Sequence, residues 1–231
     1  MTVSDPQTTV PVAIDRRPYT RAEMATDLVV HVAALVLALG AVPVLITLTA
    51  VWRGDAAGIA GVSVYGGTLI LMLTASLAYN HLGIPSWAAV LRRLDMSAIH
   101  LKIAGTYTPF ALLSGAGSGL LAAVWGAAGC ATAVTLFRKS VPAGLAVGMC
   151  LVLGWAVVVG GWSLLAALPW SVIVLMVVGG VIYSAGTPFL LASDLRFHNT
   201  IWHGFVVTAS IVFFVAIFLC AAVPLEIAAA P

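Results

Sequence analysis

The sequence predicts an all-α membrane protein, a seven-transmembrane-helix bundle with its N-terminus in the cytoplasm and its C-terminus outside. Three observations lead there. The 231 residues are 62% hydrophobic and 8% charged, whereas an ordinary soluble domain carries roughly a quarter charged residues. Seven stretches offer the apolar length of about 20 residues that a spanning helix needs. The basic residues fall almost entirely on one side of those stretches.

The stretches are residues 28–52, 58–82, 97–115, 118–137, 142–162, 169–191 and 201–224. Pro142 and Pro169 stand at helix starts, where a missing N–H is harmless. Pro43 lies inside the first helix and predicts a kink. The break between the fifth and sixth, around Leu164 to Pro169, is short. Residues 1–18 are polar and proline-containing and read as a disordered cytoplasmic tail without the pattern of a cleavable signal peptide. Residues 19–224 then form the membrane domain and 225–231 a short tail.

Orientation follows from Arg and Lys. Arg16, Arg17 and Arg21 precede the first helix, Arg92 and Arg93 follow the second, Arg138 and Lys139 follow the fourth, and Arg196 follows the sixth. Those eight of ten basic residues share one side; Arg53 is opposite and Lys102 lies within the third helix. The net charge of +2 gives no reason to expect nucleic acid, so membrane lipids are the expected partners. Cys130, Cys150 and Cys220 each sit in apolar surroundings with no CxxC pair, and read as small packing residues.

Ionisable groups in spanning helices are costly and usually face the bundle interior. Asp27 and His31 start the first helix, His81 ends the second, Asp95 opens the third, and His198 and His203 open the seventh. All of these ends are cytoplasmic in the expected orientation. Ser76 with Asn80, Asn199 with His203, and Asp27 with His31 are each four residues apart and share a helical face. Glu23 stands one turn before Asp27, while Asp95, Lys102 and Thr106 form a stripe on the third helix. Lys102 on that stripe could supply a positive charge near Asp95, or its stem could snorkel to the interface. His100 lies off the stripe and reads as a packing residue.

The run from Arg92-Arg93-Leu94-Asp95 through Ala104-Gly105-Thr106-Tyr107-Thr108-Pro109-Phe110 resembles the signature of the hemolysin III family. Gly180-Val181-Ile182-Tyr183-Ser184-Ala185-Gly186 and Ile201-Trp202-His203-Gly204-Phe205-Val206 resemble its sixth and seventh helices, and Glu23, Asp27 and His31 its first, with Asp27 where Asn is usual. The likeness covers about residues 19 to 220. The family is related to the progestin and adiponectin receptors and the alkaline ceramidases, which hydrolyse lipid amides. The resemblance implies seven helices in a bacterial-type plasma (inner) membrane. In the receptor branch it also implies a zinc ion held by one helix-two His and two helix-seven His, with a Ser and an Asp nearby.

Ser76, Asp95 and His203 match that pattern and are the candidate catalytic residues. The other two histidine positions hold Asn80 and Asn199, which are not usual zinc ligands. His81 and His198 stand next door, but ideal helices turn them about 140° from Ser76 and His203 respectively. Zinc on His203, with His81 and His198 as weaker ligands, and a metal-free cluster that includes Asn80, Asn199, Lys102, Asp27 and His31 are both open. So are three functions: a lipid-directed hydrolase, a non-enzymatic receptor-like or lipid-homeostasis protein, and the cytolysis of the family name.

Overall fold

The structure is a computed structural model that describes residues 18–138 and 141–222. Both expected tails, Pro18 apart, lie outside the described residues. Among those described, every regular element is helical: α1 Arg21–Arg53, α2 Ala56–His81, α3 Ala88–Ser114, α4 Ser118–Phe137, α5 Ala143–Gly154, α6 Ala156–Gly160, α7 Trp162–Ala166, α8 Trp170–Leu191 and α9 His198–Ala221, plus one 3₁₀ turn at Pro85–Trp87. Six are long and apolar enough to cross a membrane, taking α5 and α6 together as Ala143–Gly160. The chain is therefore an integral, multi-pass membrane protein. The segment outside the six is α3, whose Arg92, Arg93, Asp95 and Lys102 interrupt its apolar length.

α1 shows how the chain divides its surfaces. Its buried residues are Glu23, Asp27, His31, Ala34, Ala38, Val42, Leu45 and Thr49, one stripe at helical spacing. Val29, Val36, Leu37, Val44 and Val51 are exposed on the other faces. Polar residues inside and apolar ones outside is the arrangement lipid as solvent requires. Pro43 lies within α1 on its exposed side, and the helix continues through it.

The helices α1 to α5 and then α8 and α9 pack against one another in chain order, and α9 returns to α1 to close a ring. α3 also touches α9 across the interior. The AGTYTPF run sits in this hub: Ala104 and Phe110 are fully buried, and Thr108 Oγ1 accepts a hydrogen bond from Trp125 Nε1 at 3.1 Å. The expected fifth span is broken at Trp155 between α5 and α6. Tyr107 fills the break. Its hydroxyl donates to the Gly154 carbonyl at 2.7 Å and accepts from the Val157 N–H at 3.2 Å, which satisfies backbone groups that lipid could not.

At the other end of α1, Asp55 caps α2. It accepts from the Gly58 N–H at 2.6 Å and from Arg53 Nε at 3.0 Å. Partial burial opposes its ionisation, but the Gly58 N–H and the Arg53 guanidinium outweigh that and hold the carboxyl below its ordinary range. A carboxyl whose pKa falls on folding contributes stability above its unfolded value of about 3.9, and loses it as pH falls through the folded value. Asp55→Ala is therefore expected to lower stability by about 1 kcal/mol at pH 7. The difference from wild type should shrink below about pH 4, as read by thermal unfolding in detergent at both pH values.

Candidate functional site

The polar stripe that opens α1 is anchored from both sides. Thr20 and Glu23 form a capping box: the Thr20 side chain accepts from the Glu23 N–H, and Glu23 Oε2 accepts from the Thr20 N–H at 2.9 Å. The other oxygen, Oε1, accepts from the N–H of Phe197 at 2.8 Å. Phe197 caps α9 with φ of 59°, a left-handed conformation uncommon for a bulky residue. Glu23 thus ties the start of α1 to the start of α9, and brings Asn199 and His203 over Asp27.

Asp27 is the centre of the cluster. His203 Nδ1 lies 2.6 Å from its Oδ1, and His81 Nε2 lies 3.0 Å from its Oδ2. Asn199 Nδ2 donates to Oδ2 at 3.4 Å. A carboxylate can only accept, so both imidazoles donate to it. His31 places Nδ1 2.9 Å from the Asp27 carbonyl and 3.4 Å from Oδ2. Donation from Nδ1 leaves His31 Nε2 as the acceptor facing Ser76 Oγ at 3.1 Å. The His31 ring meets those of His203 and His81 edge-on, with centroids 4.1 and 5.3 Å apart.

The remaining candidates fall into three groups. Asn80 belongs to the cluster's edge: it donates to the Ser76 carbonyl at 2.9 Å and accepts from Asn199 at 3.1 Å. Ser76 Oγ donates its single proton to His31 Nε2. His81 reaches the cluster on an α2 that stays helical to its end, although its angle from Ser76 turned it away. The expectation measured its angle from Ser76, whereas its partner is Asp27 on α1. His198 turns away, to the Tyr19 hydroxyl at 2.9 Å and the Phe189 carbonyl at 3.1 Å. Lys102 neither snorkels nor reaches Asp95; it is 2% exposed and donates to the Tyr183 hydroxyl at 2.6 Å. His100 is buried, as a packing residue would be, but neither ring nitrogen has a partner.

Ligand atoms of Asp27, His31 and His203 all lie within 4.8 Å of one another, and all three residues are buried. Two imidazoles and a carboxylate form a donor set that zinc accepts, with one coordination position left open. His81 and Asn199 brace the Asp27 carboxylate from outside, as the surroundings of metal ligands ordinarily do. The residues present therefore fit a divalent metal. The donors differ from those the resemblance implies, since α1 contributes two of the three. Where Asn80 and Asn199 stand in place of histidine, Asp27 stands in place of the usual asparagine.

His31, His203, Ser76, Asn80, Asp95 and Asn199 all line one cavity of about 450 Å³, within the range of small-molecule sites. Fold and site together define a polytopic helical membrane protein with a buried carboxylate–imidazole cluster beside a cavity between its helices. The family profile described as Haemolysin-III related matches residues 22–214, and the chain belongs to that family. It is 32% identical over 210 residues to the hemolysin-3 homolog of Bacillus subtilis (strain 168), covering 89% of this chain and 98% of the relative. It is 31% identical over 198 residues to hemolysin-3 of Bacillus cereus, covering 83% and 89% respectively.

Proposed function

We propose that this protein is a lipid-directed hydrolase of the bacterial-type plasma membrane, built round a zinc centre held by Asp27, His31 and His203. In this reading it crosses the bilayer seven times with its N-terminus inside, α3 being the crossing that the other helices shield. The observation that carries the reading is the convergence of those three donors within 4.8 Å, with His31 and His203 at the wall of a largely apolar cavity. Eight of ten basic residues on one side support the orientation.

The substrate class is a long-chain acyl amide or ester, which the apolar cavity walls suit. Bound zinc would lower the pKa of a water and polarise the acyl carbonyl. The protein's own groups do the rest. Asp95 faces the cavity beside Ser76 and takes the proton from the attacking water. Ser76, when its hydroxyl turns from His31, donates to the carbonyl oxygen. Asn80 and Asn199 hold the hydroxyl and the Asp27 carboxylate in place.

Purified wild type is expected to carry about one zinc per chain, and His203→Ala to lose it. Asp95→Asn should keep the metal and lower acyl-amide hydrolysis about 10²- to 10⁴-fold. Absence of metal, together with a melting temperature unmoved by chelator, would reject the hydrolase.

One observation favours a second reading, a metal-free receptor-like or lipid-homeostasis protein. The hydrogen bonds of Asp27 are already satisfied by His203, His81 and Asn199. Cytolysis, the activity in the relatives' names, is the third. Lysis of red cells by the purified protein tests it.

A further inference from the structure

Lys102 is a buried ionisable group that the hydrolase reading leaves unused. It lies near the middle of α3 and is 2% exposed. Its Nζ donates to the Tyr183 hydroxyl at 2.6 Å, and that hydroxyl lies 2.8 Å from Ser210 Oγ. Either hydroxyl can donate to the other. Nζ also sits 4.4 Å from the Tyr183 ring centroid and 5.3 Å from that of Phe213. All these partners are neutral. Among the described residues no carboxylate comes within 4.0 Å of Nζ. Asp95, on the same helix, is two turns away, about 10 Å along the axis.

An ammonium withdrawn from water needs an opposite charge or a full set of acceptors. Lys102 has three N–H donors and one hydrogen-bond acceptor. Lys102, Tyr183 and Phe213 all line the cavity, whose other walls include Phe110, Leu151, Met176 and Val206. A buried ammonium with no carboxylate partner, on a cavity whose walls are mostly apolar, is half of an ion pair whose other half enters with an apolar chain. One ammonium beside hydroxyls, without the arginine fork that suits phosphate, matches a monoanion. The volume of about 450 Å³ lies in the lower half of the range for ligand sites, which favours one chain over two.

We propose that the cavity binds a single-chain amphiphile with a carboxylate headgroup, a long-chain fatty acid, and that the headgroup pairs with Lys102 deep in the bundle. This goes beyond the hydrolase reading and does not require metal, because Lys102 is separate from the Asp27 cluster.

The test is equilibrium binding of radiolabelled palmitate to the full-length protein in detergent, with hexadecanol, hexadecyl phosphate and acetate as competitors. Palmitate is expected to compete about tenfold or more better than hexadecanol, and acetate not at all. Lys102→Met should abolish the preference for acid over alcohol, and Lys102→Arg should keep most of it. Chelator should leave palmitate binding unchanged, whatever becomes of hydrolysis. The proposal is overturned if wild type binds hexadecanol as tightly as palmitate, a comparison that needs no variant. It is overturned too if a Lys102→Met protein of unchanged melting temperature retains the preference, or if chelator abolishes binding. A clear preference for hexadecyl phosphate over palmitate would move the headgroup to phosphate and reject the carboxylate.

Discussion

Asp27→Ala is expected to destabilise the detergent-solubilised protein by about 3–5 kcal/mol, the usual cost of removing one partner from a buried charged cluster. Asp27 is 4% exposed, and its two oxygens accept from His203, His81 and Asn199. Without them three donors from α2 and α9, His203 buried and His81 and Asn199 half-buried, face one another across an empty site. The loss should appear as a lower melting temperature and as faster proteolysis near the start of α9. Asp27→Asn separates stability from metal. It keeps the volume and one acceptor oxygen, so its structural cost should be smaller. It removes the carboxylate, so under the zinc reading it should lose metal as fully as His203→Ala. Zinc retained in Asp27→Asn would place the ion on histidines alone and remove Asp27 from the ligand set.

Asp27 also marks the limit of what the sequence showed. Hydrophobic length located the helices, and α4 and α8 match the expected segments almost residue for residue. The two largest boundary differences are starts that carry charge. α1 begins at Arg21 rather than 28, and α3 at Ala88 rather than 97. Glu23, Asp27, Arg92, Arg93 and Asp95 depress a hydropathy reading without breaking a helix. The Thr20-Arg21-Ala22-Glu23 capping box was a readable signal for the first of these. The break at Trp155 carries no proline and depends on a hydroxyl from another helix, Tyr107, so nothing local announces it.

Helical angles brought together Ser76, Asn80, Asn199 and His203 because each pair shares one helix. They failed for His81 and Lys102, whose partners lie on other helices, Asp27 of α1 and Tyr183 of α8. Angles within one helix do not say which neighbour a residue faces. The resemblance named Asp95 as the carboxylate near His203. In the structure the carboxylate among the imidazoles is Asp27, while Asp95 lines the cavity with Ser76.

The AGTYTPF run, the most specific part of the resemblance, works in this structure as packing, and Gly105 is its most sensitive point. A Cβ there would strike Thr68 of α2, overlapping Oγ1 and coming within 3.0 Å of both Cβ and Cγ2. Thr68 cannot simply turn aside, because Oγ1 is held to the carbonyls of Val64 and Tyr65 at 2.9 and 3.0 Å. Four residues on, the helices are again close: a Cβ on Gly61 would come within 3.0 Å of the Pro109 Cα. The two helices meet at their backbones, as small residues allow in membranes, where apolar burial between helices gives little drive. Gly105→Ala must push α2 from α3, and is expected to cost about 1–3 kcal/mol despite the better helix propensity of alanine. The same shift moves Ser76, Asn80 and His81, all on α2, away from Asp95 and Asp27, so ligand binding should weaken along with stability. Thr68→Gly removes all three clashing atoms, so the double variant should recover most of the loss, a coupling that a double-mutant cycle of melting temperatures measures. If Gly105→Ala melts with wild type, or Thr68→Gly restores nothing, this close approach does not set the spacing of the two helices.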